Sequence, residues 1–161
     1  MKIFILIPIY NDWQSLEKLL EKINNTISNS NFEFSVIIVN DSSSEKQSLK
    51  ANNLHNLKSI KIINIKNNMG HGRCNAIGLK YIFENEKFDY VIPMDGDGED
   101  RPEEIKIFLD QVKESHERPI VGERIKRSES IFFKICYQLH KLITLVFTGK
   151  SIKFGNYTCL P

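Results

Sequence analysis

Two carboxylates separated by a single glycine, Asp95 and Asp97, are the side chains of this sequence whose type and spacing best suit chemistry. They follow an apolar run at 90–94 that predicts a buried strand, so both stand at the carboxyl end of that strand. Gly96 leaves room for a close ligand, and Pro102 opens the next helix at a favoured first-turn position. Such hard oxygen ligands suit Mg²⁺ or Mn²⁺, which in turn suit a diphosphate. Taken alone, the segment is better explained as a polar turn, because short acidic turns are common.

A calcium loop of the EF-hand type is excluded for the same segment. If Asp95 were its first residue, the sixth position would need Gly and the twelfth Glu. Those positions hold Asp100 and Lys106.

The composition is that of one ordinary globular domain. The chain has 161 residues, of which 41% are hydrophobic and 26% charged. The net charge of +2 gives no argument for nucleic acid as a partner. The three widely spaced cysteines include no Cys-x-x-Cys pair, which predicts neither a disulfide framework nor a zinc site. A reducing cytoplasm is therefore the predicted compartment, and no apolar stretch is long enough to span a membrane.

Predicted strands alternate with predicted helices along most of the chain. Apolar runs predict strands at 2–9, 34–39, 60–65, 88–94 and 119–122. Helical spacing and capping residues predict helices at 13–28, directly after Glu45, from about 72 to 83, at 102–115 and at 130–148. This alternation predicts an α/β fold with a parallel, doubly wound sheet and helices on both faces.

A polar loop follows each of the first four predicted strands, at 10–12, 40–45, 67–72 and 95–100. The carboxyl ends of parallel strands meet at one edge of a sheet, where α/β proteins bind nucleotides. We therefore expect these four loops to converge on one crevice. After the fifth strand, Arg124 lies in a basic segment that either grips phosphates or is a solvated loop, and without context the loop is favoured.

The helix predicted at 130–148 is the most apolar one. Its polar residues form one narrow stripe, and the rest of its surface is broadly apolar. Two interpretations stay open: the helix lies in a membrane interface, or it packs under a domain that this chain does not contain.

Taken together, these segments resemble the family 2 glycosyltransferases of GT-A fold, above all the polyprenyl-phosphate sugar transferases of the dolichyl-phosphate mannose synthase type. Each match is short, but their order and spacing agree over nearly the whole chain. The matching segments are Ile7–Asp12, Val39–Glu45, Asn68–Gly72, the Asp-x-Asp motif at Asp95–Asp97, Gly122–Arg124 and Gly155–Tyr157.

The resemblance implies a metal-dependent, inverting transfer of a sugar from a nucleotide-diphosphate sugar (UDP- or GDP-linked) to a polyprenyl-phosphate or glycan acceptor. Asp95 and Asp97 would hold Mg²⁺ or Mn²⁺, and Arg124 would touch phosphate. The nucleotide would be held by five residues: Pro8, Tyr10, Asp12, Asp41 and Gly70. Of these, Asp41 would reach the base. The predicted compartment is the cytoplasm, and peripheral contact with the inner face of the membrane through helix 130–148 is one of the two open interpretations of that helix.

The sequence departs from the family at two points. Ser42 stands where the family usually has glycine, and family members generally continue well past the position of Pro161. We expect one domain over 1–161, with a nucleotide-sugar-binding half at 1–122 and the beginning of an acceptor side at 123–161. The alternative is a truncated, catalytically incomplete nucleotide-binding module that needs a partner chain or a membrane. Homo-oligomerisation is left open.

Overall fold

The computed structural model describes residues 1–50, 53–114, 118–122 and 157–161, and seven residues between 136 and 147. Four parallel strands form the main sheet: β1 (Lys2–Ile9), β2 (Glu33–Asn40), β3 (Leu57–Asn64) and β4 (Tyr90–Pro93). They are hydrogen-bonded in the order β3-β2-β1-β4, so β1 is central and the chain crosses over it to reach β4. The predicted parallel α/β fold is confirmed.

Three helices accompany this sheet. They are α1 (Trp13–Thr26), α2 (His71–Asn85) and α3 (Ile105–Glu114), and a 3₁₀ turn at Pro102–Glu104 leads into α3. Two short strands, β5 (Ile120–Val121) and β6 (Thr158–Cys159), form a second sheet. Next to β6, Leu160 makes an antiparallel bridge to Val91 of β4. The sequence predicted β5 but not β6.

The two faces of the sheet have separate cores. On β1 the odd-numbered residues from Ile3 to Ile9 pack with the apolar faces of α1 and α3. Phe4 and Leu6 point the other way and pack with Cys74 and Ile82 of α2. Because side chains alternate along a strand, a central strand covered on both faces must be apolar at every position. This explains the uninterrupted apolar run at residues 3–9.

The helix predicted directly after Glu45 is wrong, since residues 41–50 are not helical. Ser42 has a φ of 59°, in the left-handed region, and its hydroxyl donates to the backbone carbonyl of Lys66 at 3.2 Å. The amide of Glu45 donates to Oδ1 of Asn11 at 3.0 Å. Both bonds join the loop to residues that are distant in the sequence, and they hold it in a non-helical conformation.

Contacts divide the described chain into two units: Met1–Ile120 with Tyr157–Pro161, and Val121–Asn156. The second unit contains the whole segment 130–148, for which the sequence predicted a helix. Its described residues are helical and exposed: Cys136, Gln138, Leu139, Leu142, Ile143, Val146 and Phe147. The other positions of that helix lie outside the described residues. Among the described residues, no helix is both long and apolar enough to cross a membrane.

Gly78 lets α2 approach the sheet closely. A Cβ atom at this position would overlap Cδ1 of Leu6 and would lie 3.0 Å from Cγ2 of Val39. Both partners are fully buried in the strands below the helix. The position therefore has no space for a larger side chain.

We predict that Gly78→Ala destabilises the protein by about 1–3 kcal/mol, because the added methyl group overpacks the contact between α2 and the sheet. Urea unfolding followed by circular dichroism measures this effect. Gly72→Ala, in the same helix, is the matched control, because a Cβ there meets nothing within 4 Å. The control should be neutral or stabilising by at most about 1 kcal/mol. Equal effects of the two variants would contradict the packing argument.

Candidate functional site

An open pocket of about 360 Å³ lies at the carboxyl ends of β1 and β4. Its eight lining residues are Pro8, Ile9, Tyr10, Asp12, His71, Asp95, Gly96 and Asp97. Five of them were predicted from the sequence as site residues: Pro8, Tyr10, Asp12, Asp95 and Asp97. The structure brings these five together because β1 and β4 are parallel neighbours and end at the same edge of the sheet.

The loop that presents the two carboxylates is fixed by its own polar groups. The amide of Asp95 donates to Oδ2 of Asp100 at 2.9 Å, and the Asp100 side chain is buried. The amide of Glu99 donates to Oδ1 of Asp97 at 2.8 Å. Gly96 has to be small, because a Cβ there would lie 3.0 Å from the carbonyl oxygen of Pro8. The loop is thus held in place against the end of β1.

The pair Asp95 and Asp97 fits a divalent cation of the Mg²⁺ or Mn²⁺ type by the chemistry of its donors. Both are carboxylates that face one pocket, Asp95 partly exposed and Asp97 exposed. The described residues contain no group of three or more His, Cys, Asp or Glu side chains that would hold a metal alone. Mg²⁺ is usually bound by one or two carboxylates together with water and substrate phosphates, so two protein ligands are sufficient for it.

Asp41 does not line this pocket, and its carboxylate holds the loop before α2. Only 4% of the residue is exposed. Oδ1 accepts from the amide of Met69 at 2.7 Å, and Oδ2 accepts from the amide of Gly70 at 2.9 Å. Burial raises the pKa of the neighbouring Cys74 thiol to about 11, and the hydrogen bond to Asp41 and its charge act in the same direction. Asp41 therefore has a structural function; its contact with a base stays a prediction.

Gly70 is the N-cap of α2 and has a φ of 83°, a conformation that favours glycine. Its amide is bound to Asp41, and Gly70 is not among the residues that line the pocket. Arg124 lies outside the described residues. For both residues the predicted role stays a prediction.

Asn11 joins the loops that follow β1 and β2. It has a φ of 57°, and its amide donates to Oγ of Ser43 at 2.9 Å. Its side chain binds the amide of Glu45, as described above, and donates to Oγ of Ser44 at 3.1 Å. The next residue, Asp12, caps α1 by accepting from the amide of Ser15 at 3.2 Å. These bonds fix the backbone that carries Tyr10 and Asp12 to the pocket.

The sequence analysis missed His71, the first residue of α2. Its Nε2 lies 2.8 Å from Oδ1 of Asp95 and 3.2 Å from Nδ2 of Asn75. The only signal in the sequence was its place between Gly70 and Gly72, in a loop expected at the same edge of the sheet. That position places a histidine near the site but does not reveal its partner.

This fold is the GT-A fold of glycosyltransferases. A similar solved structure is that of glucosyl-3-phosphoglycerate synthase from Mycobacterium tuberculosis in complex with UDP: the TM-score is 0.65 and the identity 10%, over 99% of this chain and 56% of that one. A mannosyltransferase from Pyrobaculum calidifontis, in complex with GDP-mannose and Mn²⁺, gives a TM-score of 0.57 and 14% identity over 98% of this chain and 44% of that one. At these identities the likeness establishes the fold alone.

The chain belongs to glycosyl transferase family 2, whose model matches residues 4–158. It is also similar to the undecaprenyl-phosphate 4-deoxy-4-formamido-L-arabinose transferase of Proteus mirabilis, with 29% identity over 160 residues. That match covers 99% of this chain and 47% of the relative, so the chain spans about half the length of the curated relatives it matches. The family expected from the sequence motifs is thus confirmed.

We predict that Asp41→Asn destabilises the protein by about 1–3 kcal/mol, because it removes the charge and replaces one of the two buried oxygens that accept backbone amides of the loop. Urea unfolding of the two proteins measures the difference. Asp12→Asn is the matched control, since asparagine caps a helix about as well as aspartate. A loss of stability as large for Asp12→Asn as for Asp41→Asn would contradict the structural role of Asp41.

Proposed function

We propose that this chain is the donor-binding part of a glycosyltransferase that moves a sugar from a nucleotide-diphosphate sugar to a polyprenyl-phosphate or glycan acceptor. The observation that supports this best is the meeting of Asp95 and Asp97 with Pro8, Tyr10 and Asp12 in one pocket, in a chain of family 2. The pocket is polar on the β4 side and has an apolar wall and an aromatic ring from β1.

In this proposal the β1 side of the pocket receives the nucleoside, and the β4 side receives the diphosphate. Tyr10 is about half exposed, so its ring is available to a planar base or a ribose. Asp95 and Asp97 hold Mg²⁺ or Mn²⁺. When bound, the cation supplies positive charge that offsets the charge developing on the leaving diphosphate. Two solved structures of the same fold support a nucleotide donor: the mannosyltransferase contains GDP-mannose and Mn²⁺, and glucosyl-3-phosphoglycerate synthase contains UDP.

The proposed chemistry is a single displacement with inversion at the anomeric carbon. An acceptor oxygen forms the new bond to this carbon, while the bond from the carbon to the diphosphate oxygen breaks and the nucleoside diphosphate leaves. A polyprenyl phosphate is already anionic and needs no general base, whereas a glycan hydroxyl must lose a proton. The relative from Proteus mirabilis is named for undecaprenyl phosphate, which favours the lipid phosphate as acceptor.

Peripheral contact with the cytoplasmic face of the membrane is part of the proposal, because a polyprenyl acceptor resides in the bilayer. The described residues near the end of the chain include several exposed apolar side chains. Leu139, Leu142 and Ile143 are about half exposed, and Val146 and Phe147 are more than 70% exposed. A helix with such side chains on its surface suits a membrane interface.

Replacement of Asp97 tests the metal site. We predict that Asp97→Asn lowers nucleotide affinity in the presence of Mn²⁺ by at least about tenfold, or 1.4 kcal/mol, and leaves the circular dichroism spectrum unchanged. The fold is expected to persist because Asp97 is exposed on a loop. Asp110→Asn is the control: this carboxylate is on α3, pairs with Lys113 at 3.1 Å and does not line the pocket. Unchanged affinity of Asp97→Asn would exclude Asp97 as a ligand.

Calorimetric titration with UDP and with GDP, each with and without Mn²⁺, tests the donor site itself. We expect one of the two nucleotides to bind, and to bind more tightly with Mn²⁺. This result would also identify the base. If a folded protein binds neither nucleotide, the motifs serve as scaffold in this chain alone, and the incomplete module that needs a partner chain or a membrane becomes the better description. If one nucleotide does bind, transfer of a sugar to a polyprenyl phosphate is measured next, with a nucleotide sugar that carries the same base.

A further inference from the structure

We propose that His71 is a positioning residue of the metal site, whose imidazole ring holds the carboxylate of Asp95 in the orientation that receives the divalent cation. This inference rests on the proposed function, in which Asp95 is a metal ligand. It assigns a role to a residue that the sequence motifs left without one.

The contact joins two elements that are far apart in the sequence. His71 begins α2, directly after the glycine whose amide is bound by Asp41, so the backbone of the histidine is fixed. Asp95 follows β4 and is held through its own amide by Asp100. The ring and the carboxylate then meet with 2.8 Å between Nε2 and Oδ1. Both residues line the same pocket.

An ionised carboxylate can only accept a hydrogen bond, so this contact is attractive only when Nε2 carries the hydrogen. The Nδ2 group of Asn75, which lies 3.2 Å from the same Nε2, then cannot donate to it. The ring then restricts the rotation of the Asp95 carboxylate through one oxygen. The other oxygen, Oδ2, has no hydrogen bond or ion pair with the described residues, and about a third of the side chain is exposed. One oxygen is therefore held, and the other is open to a ligand.

Asp97 shows the same division. Its Oδ1 accepts from the amide of Glu99, and its side chain also faces the pocket. Each of the two carboxylates thus has one oxygen held by an N–H group. Carboxylates that are held in this way favour binding of a metal ion, because ligands that are already oriented lose less conformational freedom when the ion binds.

Direct coordination of the cation by His71 is the less suitable role. Imidazole suits Zn²⁺, copper, iron and nickel, whereas Mg²⁺ and Mn²⁺ are suited by carboxylate, carbonyl and water oxygens. Among the described residues, His71 also does not form a group of three potential metal ligands with Asp95 and Asp97. Its contact with Asp95 is therefore better explained as support for an oxygen ligand.

The test is a titration with Mn²⁺ at a fixed concentration of UDP or GDP, whichever binds the unmodified chain. We expect His71→Ala to raise the apparent dissociation constant of Mn²⁺ by about tenfold or more, as for other residues that orient a metal ligand. The nucleotide affinity without metal is measured separately, so that a loss of nucleotide binding is not mistaken for a loss of metal binding, and thermal unfolding checks that the variant is folded. His71→Gln keeps a side-chain N–H donor and should remain within about threefold of the unmodified chain.

His55→Ala is the matched control. His55 is exposed and precedes β3, so it lies at the amino end of the sheet, away from the pocket. Unchanged Mn²⁺ affinity in His71→Ala would overturn the proposal, and so would tighter binding, which would mean that the ring competes with the cation for Asp95. Equal losses in the alanine and glutamine variants would exclude the donor contact. If the unmodified chain shows no dependence on Mn²⁺, the proposed metal site itself fails, and this is seen before any variant is made.

Discussion

Burial of β1 on both faces is the constraint on which the rest of the structure depends. The seven residues Ile3–Ile9 are buried, and β1 has parallel partners on both sides. No polar side chain is tolerated along this strand, because α1 and α3 cover one face and α2 covers the other. Polar residues first become possible where the strand leaves the sheet, at Tyr10. Most of β2 and β4 is buried in the same way, although β2 contains the buried Ser35, whose hydroxyl accepts from Oγ of Ser59 at 3.0 Å.

The acidic residues at the carboxyl ends of the strands are of two kinds. Asp41 and Asp100 are 4% and 7% exposed, and their oxygens accept hydrogen bonds from backbone amides of the loops. Bonds to ionised acceptors are stronger than neutral ones, which makes a carboxylate an effective anchor for a loop. Asp95 and Asp97 instead face the pocket and keep part of their surface accessible. The buried pair thus builds the backbone on which the accessible pair stands.

The sequence predicted those properties that depend on local patterns. The strands were found from apolar runs, α1 from its helical spacing, and the Asp95 segment from its residue types, because each of these signals lies within a few adjacent residues. Contacts between distant residues were not predictable. The helix expected after Glu45 is absent because Asn11, from another loop, takes the amide of Glu45. Likewise, the partners of Asp41 at Met69 and Gly70 and the contact of His71 with Asp95 exist only once the sheet brings their loops together.

Under the proposed function, the protein supplies two carboxylates to the divalent cation and leaves its other coordination positions to further ligands. The cation completes its coordination with diphosphate oxygens and water, so the cation and the nucleotide each increase the affinity of the other by the same factor. The described residues that line the pocket all lie between Pro8 and Asp97 in the sequence. Under the proposed function, donor binding depends on these residues and on the predicted phosphate contact of Arg124, which lies outside the described residues. Transfer depends in addition on residues that bind the acceptor, and for this reason the two activities can be separated by experiment.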